Sequence, residues 1–354
     1  MGYEIDYLPV GDGEKGGDAI ILRYGNLFGQ RAEQNIVVID GGTKESGVQI
    51  VEHIKKFYNT DYVDTVICTH VHSDHASGLT EVLENLKVSQ LLMHLPWEHS
   101  GDIKNMFTNG KLTAKGLKER TEKSLTAIKD LEALASGKNI PIIEPFQGLS
   151  IHNDGTLLVL GPSEQYYTEL LANFDIMPET KSEFTIYEKI KSFGQAIIKW
   201  MSETMDLLTE TLGDDGETNC ENNGSAIILF SVDGQKILFT GDAGIPAIQK
   251  SMDYAKSLGI SLDNVDFLDM PHHGSKRNIG KTLLSQLKPR IAFISAPKDG
   301  DPKHPSRKVV NALKRRGATV IATKGKQIRH HKDAPDRPNW GPAQEEPFYN
   351  QVED

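Results

Sequence analysis

Apolar residues recur along the chain in short runs and at helical spacing, which predicts strands and helices in alternation. In the first third, runs at 4–10, 18–24 and 35–40 predict strands, and a glycine-rich turn spans 11–17. Apolar positions over 48–58 then have the spacing of an amphipathic helix. Further strands are predicted at 63–68, 88–95, 140–148, 156–161, 226–231, 236–240, 265–270, 290–295 and 319–323, and further helices at 76–86, 246–258 and 307–316. This order predicts a layered α/β fold.

Two stretches interrupt this alternation. Residues 96–138 have a largely helical pattern, and residues 162–221 form a second, acidic insertion with an amphipathic helical stretch near 197–212. A lid over a site or a homodimer contact would both suit the second insertion. We therefore expect one domain over 1–332 and, where proline and acidic residues become frequent, an irregular tail over 333–354.

Size and composition exclude several classes of protein. The chain has 354 residues, of which 38% are hydrophobic, and this is enough for a substantial core. No apolar run reaches the roughly 18 residues that span a bilayer, and the first residues lack the order of a signal peptide, so we expect a cytoplasmic protein with no membrane partner. Its two cysteines, Cys68 and Cys220, form no disulfide framework.

Charge is unevenly distributed along the chain. The formal net charge is −10, yet sixteen Lys or Arg residues face only two acids between Lys276 and Lys332. Two interpretations stay open at this point: the basic residues line a groove for nucleic acid, or they form solvated helix faces.

The most specific feature follows the predicted strand at 63–68. His70, His72, Asp74 and His75 offer four metal-binding side chains within six residues. Residues at this spacing cannot share one helix face, but a strand that enters a tight loop can direct them at one or two cations. We therefore predict a dinuclear metal site.

This motif resembles the H-x-H-x-D-H signature of the metallo-β-lactamase superfamily. Asp40, followed by two glycines, is similar to the first motif of that family, and Asp242 at the end of Thr240-Gly241-Asp242 is similar to the fourth. The third histidine of true β-lactamases is absent, and Asn222-Asn223-Gly224-Ser225 stands in its place. This sequence, with Pro271-His272-His273-Gly274-Ser275, resembles the ComEC-type competence-protein branch.

The resemblance implies an αββα sandwich with two mainly helical insertions and two cations, Zn²⁺ or Mn²⁺. His70, His72, Asp74, His75, Asp242 and His272 would be ligands, with His272 chosen over His273. Asp40 would orient ligand side chains, and Asp242 would bridge the two cations. Catalytic roles would fall to Asp74, Asn223, Ser225, His273 and His304, and substrate contacts to Ser275, Lys276 and Lys303.

The function that follows is a metal-dependent phosphodiesterase or nuclease in which two cations hold a hydroxide for in-line attack. Its substrate would be a nucleic acid or a nucleotide. The spacing from Asp242 to His272 leaves no room for the cap domain of the RNA-processing nucleases, and the ComEC-type membrane channel is absent, which suggests a stand-alone enzyme. The alternatives are a hydrolase of a cyclic nucleotide, phosphate ester or lactone, and a non-catalytic module stabilised by metal.

Overall fold

In a computed structural model, the protein has two main sheets that lie face to face, with helices outside them. The structure describes residues 1–11, 13, 16–152, 155–185, 200–301, 303–338 and 340–354. The strands are β1 Gly2–Tyr7, β2 Ala19–Gly25, β3 Gln34–Gly41, β4 Tyr62–Val63, β5 Thr65–Ile67, β6 Lys87–Val88, β7 Leu91–Leu92, β8 Ile142–Ile143, β9 Leu157–Gly161, β10 Trp200–Ser202, β11 Ile227–Val232, β12 Gln235–Phe239, β13 Phe267–Asp269, β14 Ile291–Ile294, β15 Thr319–Ala322, β16 Ile328–Lys332 and β17 Gln351–Glu353. The helices are α1 Lys44–Phe57, α2 Ser73–Asn85, α3 Ser100–Ile103, α4 Ala114–Ser124, α5 Thr126–Gly137, α6 Glu164–Leu171, α7 Cys220–Asn223, α8 Ile245–Ser257, α9 Lys281–Leu287 and α10 Arg307–Arg315.

The two main sheets have matching organisation. The first has the order β16-β1-β2-β3-β5-β7-β8 and the second the order β15-β14-β13-β12-β11-β9. In each sheet an antiparallel set leads into a parallel set, β3-β5-β7-β8 in the first and β12-β13-β14-β15 in the second. The predicted αββα sandwich is confirmed.

Strand alternation explains the layers. On β1, the side chains of Tyr3, Ile5 and Tyr7 enter the core between the sheets with Phe230, Phe267 and Phe293. A second core, which includes apolar residues of α1, α2, α8 and α10, lies between the sheets and the helices. Burial of both faces of each sheet gives the fold its rigidity, because close-packed interiors resist deformation.

The first insertion is helical, as predicted, and contains α3, α4 and α5. The predicted helical stretch over 197–212 is wrong for 200–202, which form strand β10, while 197–199 lie outside the described residues. Strand β10 pairs with β17, so the segment 333–354, predicted as irregular, ends in a strand. This pairing joins residues about 150 positions apart in the sequence, and a local pattern cannot reveal it.

The parallel arrangement determines where the site lies. The carboxyl ends of parallel strands meet at one edge of a sheet, and loops there commonly hold functional side chains. In the first sheet, β3 ends beside Asp40 and β5 leads to His70. In the second, β12 leads to Asp242 and β13 to His272. Contacts between these loops bring the two edges together.

Candidate metal centre

The loop between β5 and α2 carries the first group of polar side chains. His70 follows the strand, His72 caps the helix, and Asp74 and His75 lie in its first turn. The Nε2 atom of His70 lies 3.1 Å from Nδ1 of His72. The change from strand to helix within five residues brings these side chains together, as the sequence predicts.

Asp40 lies beneath this loop and is fully buried. Its carboxylate accepts hydrogen bonds from the Thr69 amide at 2.8 Å and the Thr69 hydroxyl at 2.6 Å. It also lies 2.8 Å from Nδ1 of His75. A carboxylate on one imidazole nitrogen fixes the tautomer and leaves the other nitrogen for a metal. This arrangement suits the orienting role predicted for Asp40.

Asp242 faces the loop from the second sheet. Its two carboxylate oxygens lie 3.4 Å from His75 Nε2 and 3.6 Å from His70 Nε2. The hydroxyl of Ser225 accepts a hydrogen bond of 3.1 Å from the Asp242 amide and so positions the backbone of this residue. Gly241 precedes it with φ 50°, and a Cβ there would lie 2.9 Å from the Thr69 hydroxyl. This close approach of the two loops requires a glycine.

The turn after β13 separates two neighbouring imidazoles. His272 and His273 both have left-handed backbones, with φ 48° and φ 58°. Such conformations cost about 1–3 kcal/mol each in non-glycine residues and are concentrated at functional sites. Nε2 of His272 lies 3.6 Å from Asp242, whereas Nδ1 of His273 lies 3.3 Å from Asp18. The strained turn therefore points the two rings at different partners.

These side chains form several groups of donor atoms, and within each group the atoms lie within 4.8 Å of one another. One group contains His70, His72 and Asp242, a second contains Asp74, His75 and His273, and a third contains Asp242, His272 and His273. Asp242 belongs to the first and third groups, which fits the bridging role predicted for it. His273, which the prediction ranked below His272, is a candidate ligand in two groups.

Unpaired buried atoms show that the residues fit divalent cations. His75 Nε2 and Asp242 Oδ1 are buried, 3.4 Å apart, and within the described part of the chain neither has a hydrogen-bond partner. Buried polar atoms without partners are costly, and a cation between imidazole and carboxylate donors would satisfy both. Imidazole and carboxylate are ligands for both Zn²⁺ and Mn²⁺, so the donor set does not distinguish these metals.

The carboxylates of the cluster raise the pKa values of two of its histidines, His75 and His273. Burial lowers the pKa of His75, but Asp242 and Asp40 outweigh burial and raise it well above its usual value. Burial likewise lowers the pKa of His273, while Asp18 and Asp242 raise it to about 9. The carboxylates thus attract protons to imidazoles that a metal would require in their neutral form, so metal binding should release protons.

Asn223 is placed differently from the other predicted residues. Its amide nitrogen donates to the carbonyl oxygens of Thr218 and Asn219, at 3.3 and 3.0 Å. Two asparagines that the prediction did not select contact the imidazole of His272 instead. Asn222 Nδ2 lies 3.3 Å from Nδ1 of His272, and Asn278 Oδ1 lies 3.0 Å from the same atom.

Asn278 also donates to the Asp242 carbonyl at 2.8 Å, so it links the two loops of the second sheet. Sequence alone gave no signal for Asn278. Asn222 could have been chosen from the N-N-x-S motif, but only the geometry distinguishes it from Asn223.

His304 lies beside the histidine turn, with its ring centroid 5.4 Å from that of His272 and 5.9 Å from that of His273. Burial and the neighbouring His273 and His272 rings lower the pKa of His304 to about 3. It is therefore a neutral imidazole near pH 7. In this state it can donate or accept a hydrogen bond, but it holds no extra proton to transfer to a leaving group.

The three predicted substrate contacts differ in their surroundings. Ser275 is buried, and its hydroxyl accepts from the Arg277 amide at 3.2 Å. Lys276 is half-buried and donates to the Asp354 carbonyl. Lys303 is exposed, and no acidic side chain of the described residues lies within 4.0 Å of its ammonium group. Of the three, Lys303 is the one whose charge is most available to an anion.

Eight of the sixteen Lys and Arg residues in the basic segment Lys276–Lys332 form ion pairs with acidic side chains of the described residues. Its ion pairs include Lys314 with Glu345, Arg315 with Glu203, Arg316 with Glu210, Lys324 with Glu346, Arg307 with Asp301, and Arg329 with Glu4. Glu203 and Glu210 belong to the acidic insertion, and Glu345 and Glu346 to the C-terminal segment. Four of these charges thus hold the acidic insertion and the C-terminal segment against the end of α10 and the turn after β15, and both interpretations offered from sequence stay open for the other basic residues.

Residues 27–156 match the family model of the metallo-beta-lactamase superfamily. These are 130 of the 354 residues, and the two-sheet sandwich of the chain is the fold of that superfamily.

Among individual proteins, the chain is 32% identical over 103 residues to ComE operon protein 3 of Bacillus subtilis and 33% identical over 106 residues to Recombination protein 2 of Haemophilus influenzae. These segments cover 29% and 30% of this chain but only 13% of each relative. Among solved structures, CmlA, a diiron beta-hydroxylase from Streptomyces venezuelae, aligns with 93% of this chain and 54% of its own at 11% identity and a TM-score of 0.42. That score is too low to support an argument.

No described helix has the length and apolarity needed to cross a membrane.

Proposed function

We propose that this protein is a metal-dependent phosphodiesterase. The observation that supports the proposal best is the buried pair formed by His75 Nε2 and Asp242 Oδ1. These two atoms face each other between two groups of metal-binding side chains, and no described residue gives either of them a hydrogen bond. The group of His70, His72 and Asp242 adjoins the group of Asp74, His75 and His273, because Asp242 Oδ1 lies 3.4 Å from His75 Nε2. Two adjoining groups suit a pair of cations, and paired cations are a common solution for phosphodiester hydrolysis. The names of the two curated relatives, a ComE operon protein and a recombination protein, are consistent with a phosphodiester substrate.

Different residues of the cluster would hold the two cations. His70, His72 and Asp242 would hold one cation, and Asp74, His75 and His273 the other, with His272 and Asp242 between them. When bound, such cations activate water and stabilise the negative charge that develops on phosphorus. Asp40 and Asn278 orient His75 and His272, so that few rotamers must be fixed when the substrate binds.

The neutral His304 and the exposed Lys303 provide contacts for the substrate. His304 Nδ1 is buried and has no hydrogen-bond partner in the part of the chain that the structure describes, and the His304 ring adjoins both turn histidines. An imidazole in this state can form a hydrogen bond with the substrate, and a nearby ammonium group favours an anionic ester over a neutral lactone.

A small phosphodiester, such as a cyclic nucleotide, is the second candidate substrate, and the ion pairs of the basic segment favour it over long nucleic acid. A polynucleotide is held by several Lys or Arg residues that each neutralise a phosphate. Here Arg315 and Arg316 are engaged by Glu203 and Glu210, and the whole chain has a net charge of −10. We therefore expect a low affinity for long DNA unless the exposed lysines contact its phosphates.

The test is a substrate panel with metal-reconstituted protein. Bis-p-nitrophenyl phosphate, cyclic nucleotides, single-stranded DNA, duplex DNA and RNA would each be tested with Mn²⁺, Zn²⁺ and Mg²⁺ at low and high salt. We expect turnover of phosphodiesters that a chelator abolishes and Mn²⁺ or Zn²⁺ restores. Hydrolysis of small substrates should change little with salt, whereas cleavage of long nucleic acid through a basic groove would fall steeply with salt.

Asp242→Ala should abolish turnover, and Asp253→Ala is its matched control. Asp253 is an exposed acid on α8, where it accepts a hydrogen bond from Gln249 in the same helix. Hydrolysis of lactones or phosphate monoesters alone, with no phosphodiester cleaved, would contradict the proposal. Stoichiometric metal without any turnover would favour the non-catalytic alternative.

A further inference from the structure

Asp18 is a buried carboxylate that the prediction assigned no role. It immediately precedes β2, is 2% exposed, and lies beside the metal-binding cluster. Among the described residues, the basic side chains within 4.0 Å of it are two imidazoles, His273 at 3.3 Å and His75 at 3.9 Å. No lysine or arginine of the described residues compensates its charge at that distance, so its electrostatic partners are groups of the cluster itself.

The backbone holds Asp18 firmly in this position. The carbonyl oxygen of Gly17 accepts a 2.7 Å hydrogen bond from the buried hydroxyl of Ser295. A Cβ at Gly17 would lie 2.1 Å from the carbonyl oxygen of Asp74, so only glycine allows this segment to pack against the metal-binding loop. The approach places the next residue, Asp18, between that loop and the histidine turn.

Asp18 has the same relation to His273 that Asp40 has to His75. Nδ1 of His75 already faces Asp40 at 2.8 Å, which leaves Asp18 as the more distant of its two carboxylates. Nδ1 of His273 is buried and has no hydrogen-bond partner among the described residues, although Asp18 Oδ1 lies 3.3 Å away and is likewise without a partner there. A small rotation of either side chain would complete a charge-assisted hydrogen bond between them.

We propose that Asp18 is a positioning residue that holds His273 through Nδ1 and thereby leaves Nε2 to bind the cation beside Asp74 and His75. Asn278 holds Nδ1 of the neighbouring His272 at 3.0 Å, so each histidine of the turn has its own orienting side chain. The two histidines would then serve different parts of the metal centre, and both would be ligands. This inference rests on the proposed metal site but not on the identity of the substrate.

The test is Zn²⁺ affinity, measured on the full chain by competition with a chromophoric chelator. Removal of a carboxylate that orients a metal-binding histidine typically weakens metal binding about 10–100-fold. Asp18→Ala should weaken one Zn²⁺ site by this factor and leave the other unchanged. Asp18→Asn should weaken it less, because the amide oxygen still accepts a hydrogen bond from Nδ1 of His273.

A double-mutant cycle with His273→Ala distinguishes positioning from a general structural effect. If Asp18 acts through His273, Asp18→Ala should cause no further loss of Zn²⁺ affinity in the His273→Ala background. An equal loss in both backgrounds, wild-type affinity in Asp18→Ala, or a loss in Asp18→Asn as large as in Asp18→Ala would overturn the proposal. Circular dichroism of each variant verifies the fold.

The outcome does not depend on turnover. A protein that binds Zn²⁺ as expected but cleaves no phosphodiester would overturn the proposed function and leave the role of Asp18 intact. Normal turnover of phosphodiesters with unchanged Zn²⁺ affinity in Asp18→Ala would overturn the role of Asp18 and leave the proposed function intact.

Discussion

The contact between Arg315 and Glu203 should be a major source of stability rather than a part of a substrate groove. Both side chains are 0% exposed, and Nη2 of Arg315 lies 3.0 Å from Oε2 of Glu203. The same carboxylate accepts from Asn311 at 2.8 Å and, through its other oxygen, from the Thr211 amide at 2.8 Å. Arg315→Met would leave a buried carboxylate without its cation, which typically costs about 3–5 kcal/mol.

The neighbouring Lys314 supplies the matched control. It pairs with Glu345 at 2.6 Å, but the Glu345 side chain is half exposed. Ion pairs that water can reach contribute about 0–1 kcal/mol, so Lys314→Met should change the free energy of unfolding by no more than that. Urea unfolding at neutral pH, followed by circular dichroism, measures both variants in the same background.

The pH dependence provides a second measure of the same contact. Burial raises the pKa of Glu203, but hydrogen bonds from Thr211, Asn311 and Arg315 outweigh burial and lower it below its usual value. A lowered folded-state pKa contributes stability above the unfolded pKa, and that stability is lost as pH falls through the folded-state pKa. The difference between wild type and Arg315→Met should therefore shrink on acidification. A neutral-pH difference below about 1 kcal/mol would refute the reasoning, because the pair would then behave like an exposed one.

Two further predictions concern the metal centre, and a third concerns the separate contacts of Glu144 with His99 and Leu95. Asp74→Ala and His75→Ala should each remove bound metal, measured by elemental analysis, and abolish turnover while the thermal unfolding transition persists, because the apolar sheets supply most of the stability. Asn223→Ala should keep its metal content, since the Asn223 amide bonds to backbone carbonyls rather than to the cluster; equal loss of metal and activity would show that Asn223 is a ligand. Burial raises the pKa of Glu144, but the nearby imidazole of His94 and hydrogen bonds from His99 and the Leu95 amide lower it to about 2. The contribution of Glu144 to stability is therefore present above the unfolded value of 4.5 and lost toward pH 2. Glu144→Gln should flatten the pH dependence of unfolding in this window, and an unchanged slope would exclude the contact as its source.

Local patterns predicted most of the fold. The strands that flank the site and the helices α1, α2, α8 and α10 lie within a few residues of their predicted positions, because burial on one face imposes the periodicity on the sequence. The pairing of β10 with β17 could not be predicted in this way, since each strand has three residues and the pairing depends on a distant partner.

The candidate site was predictable where its residues are close in sequence. The spacing of the metal-binding side chains from His70 to His75 is specific enough to predict a metal site. The predicted positions of Asp40 and Asp242 at strand ends also agree with the structure, in which both residues lie beside these histidines. The approach of Asp18 to His273 was not predictable, because the two residues are far apart in the sequence. Asn278 is six positions from His272, and only the folded turn shows that its side chain reaches Nδ1 of that histidine. The acidic partners of several residues in the basic segment were likewise unpredictable, since they lie in the insertion, in the C-terminal segment and at the N-terminus.

The most direct test of the central claim is the hydrolysis of bis-p-nitrophenyl phosphate by metal-free protein titrated with Mn²⁺ or Zn²⁺. The proposed two-cation phosphodiesterase predicts turnover that rises with bound metal, reaches a plateau near two cations per chain and is absent from Asp242→Ala at every metal concentration. Protein that binds its cations but shows no hydrolysis above the rate of Asp242→Ala, with this ester and with cyclic nucleotides, would contradict it.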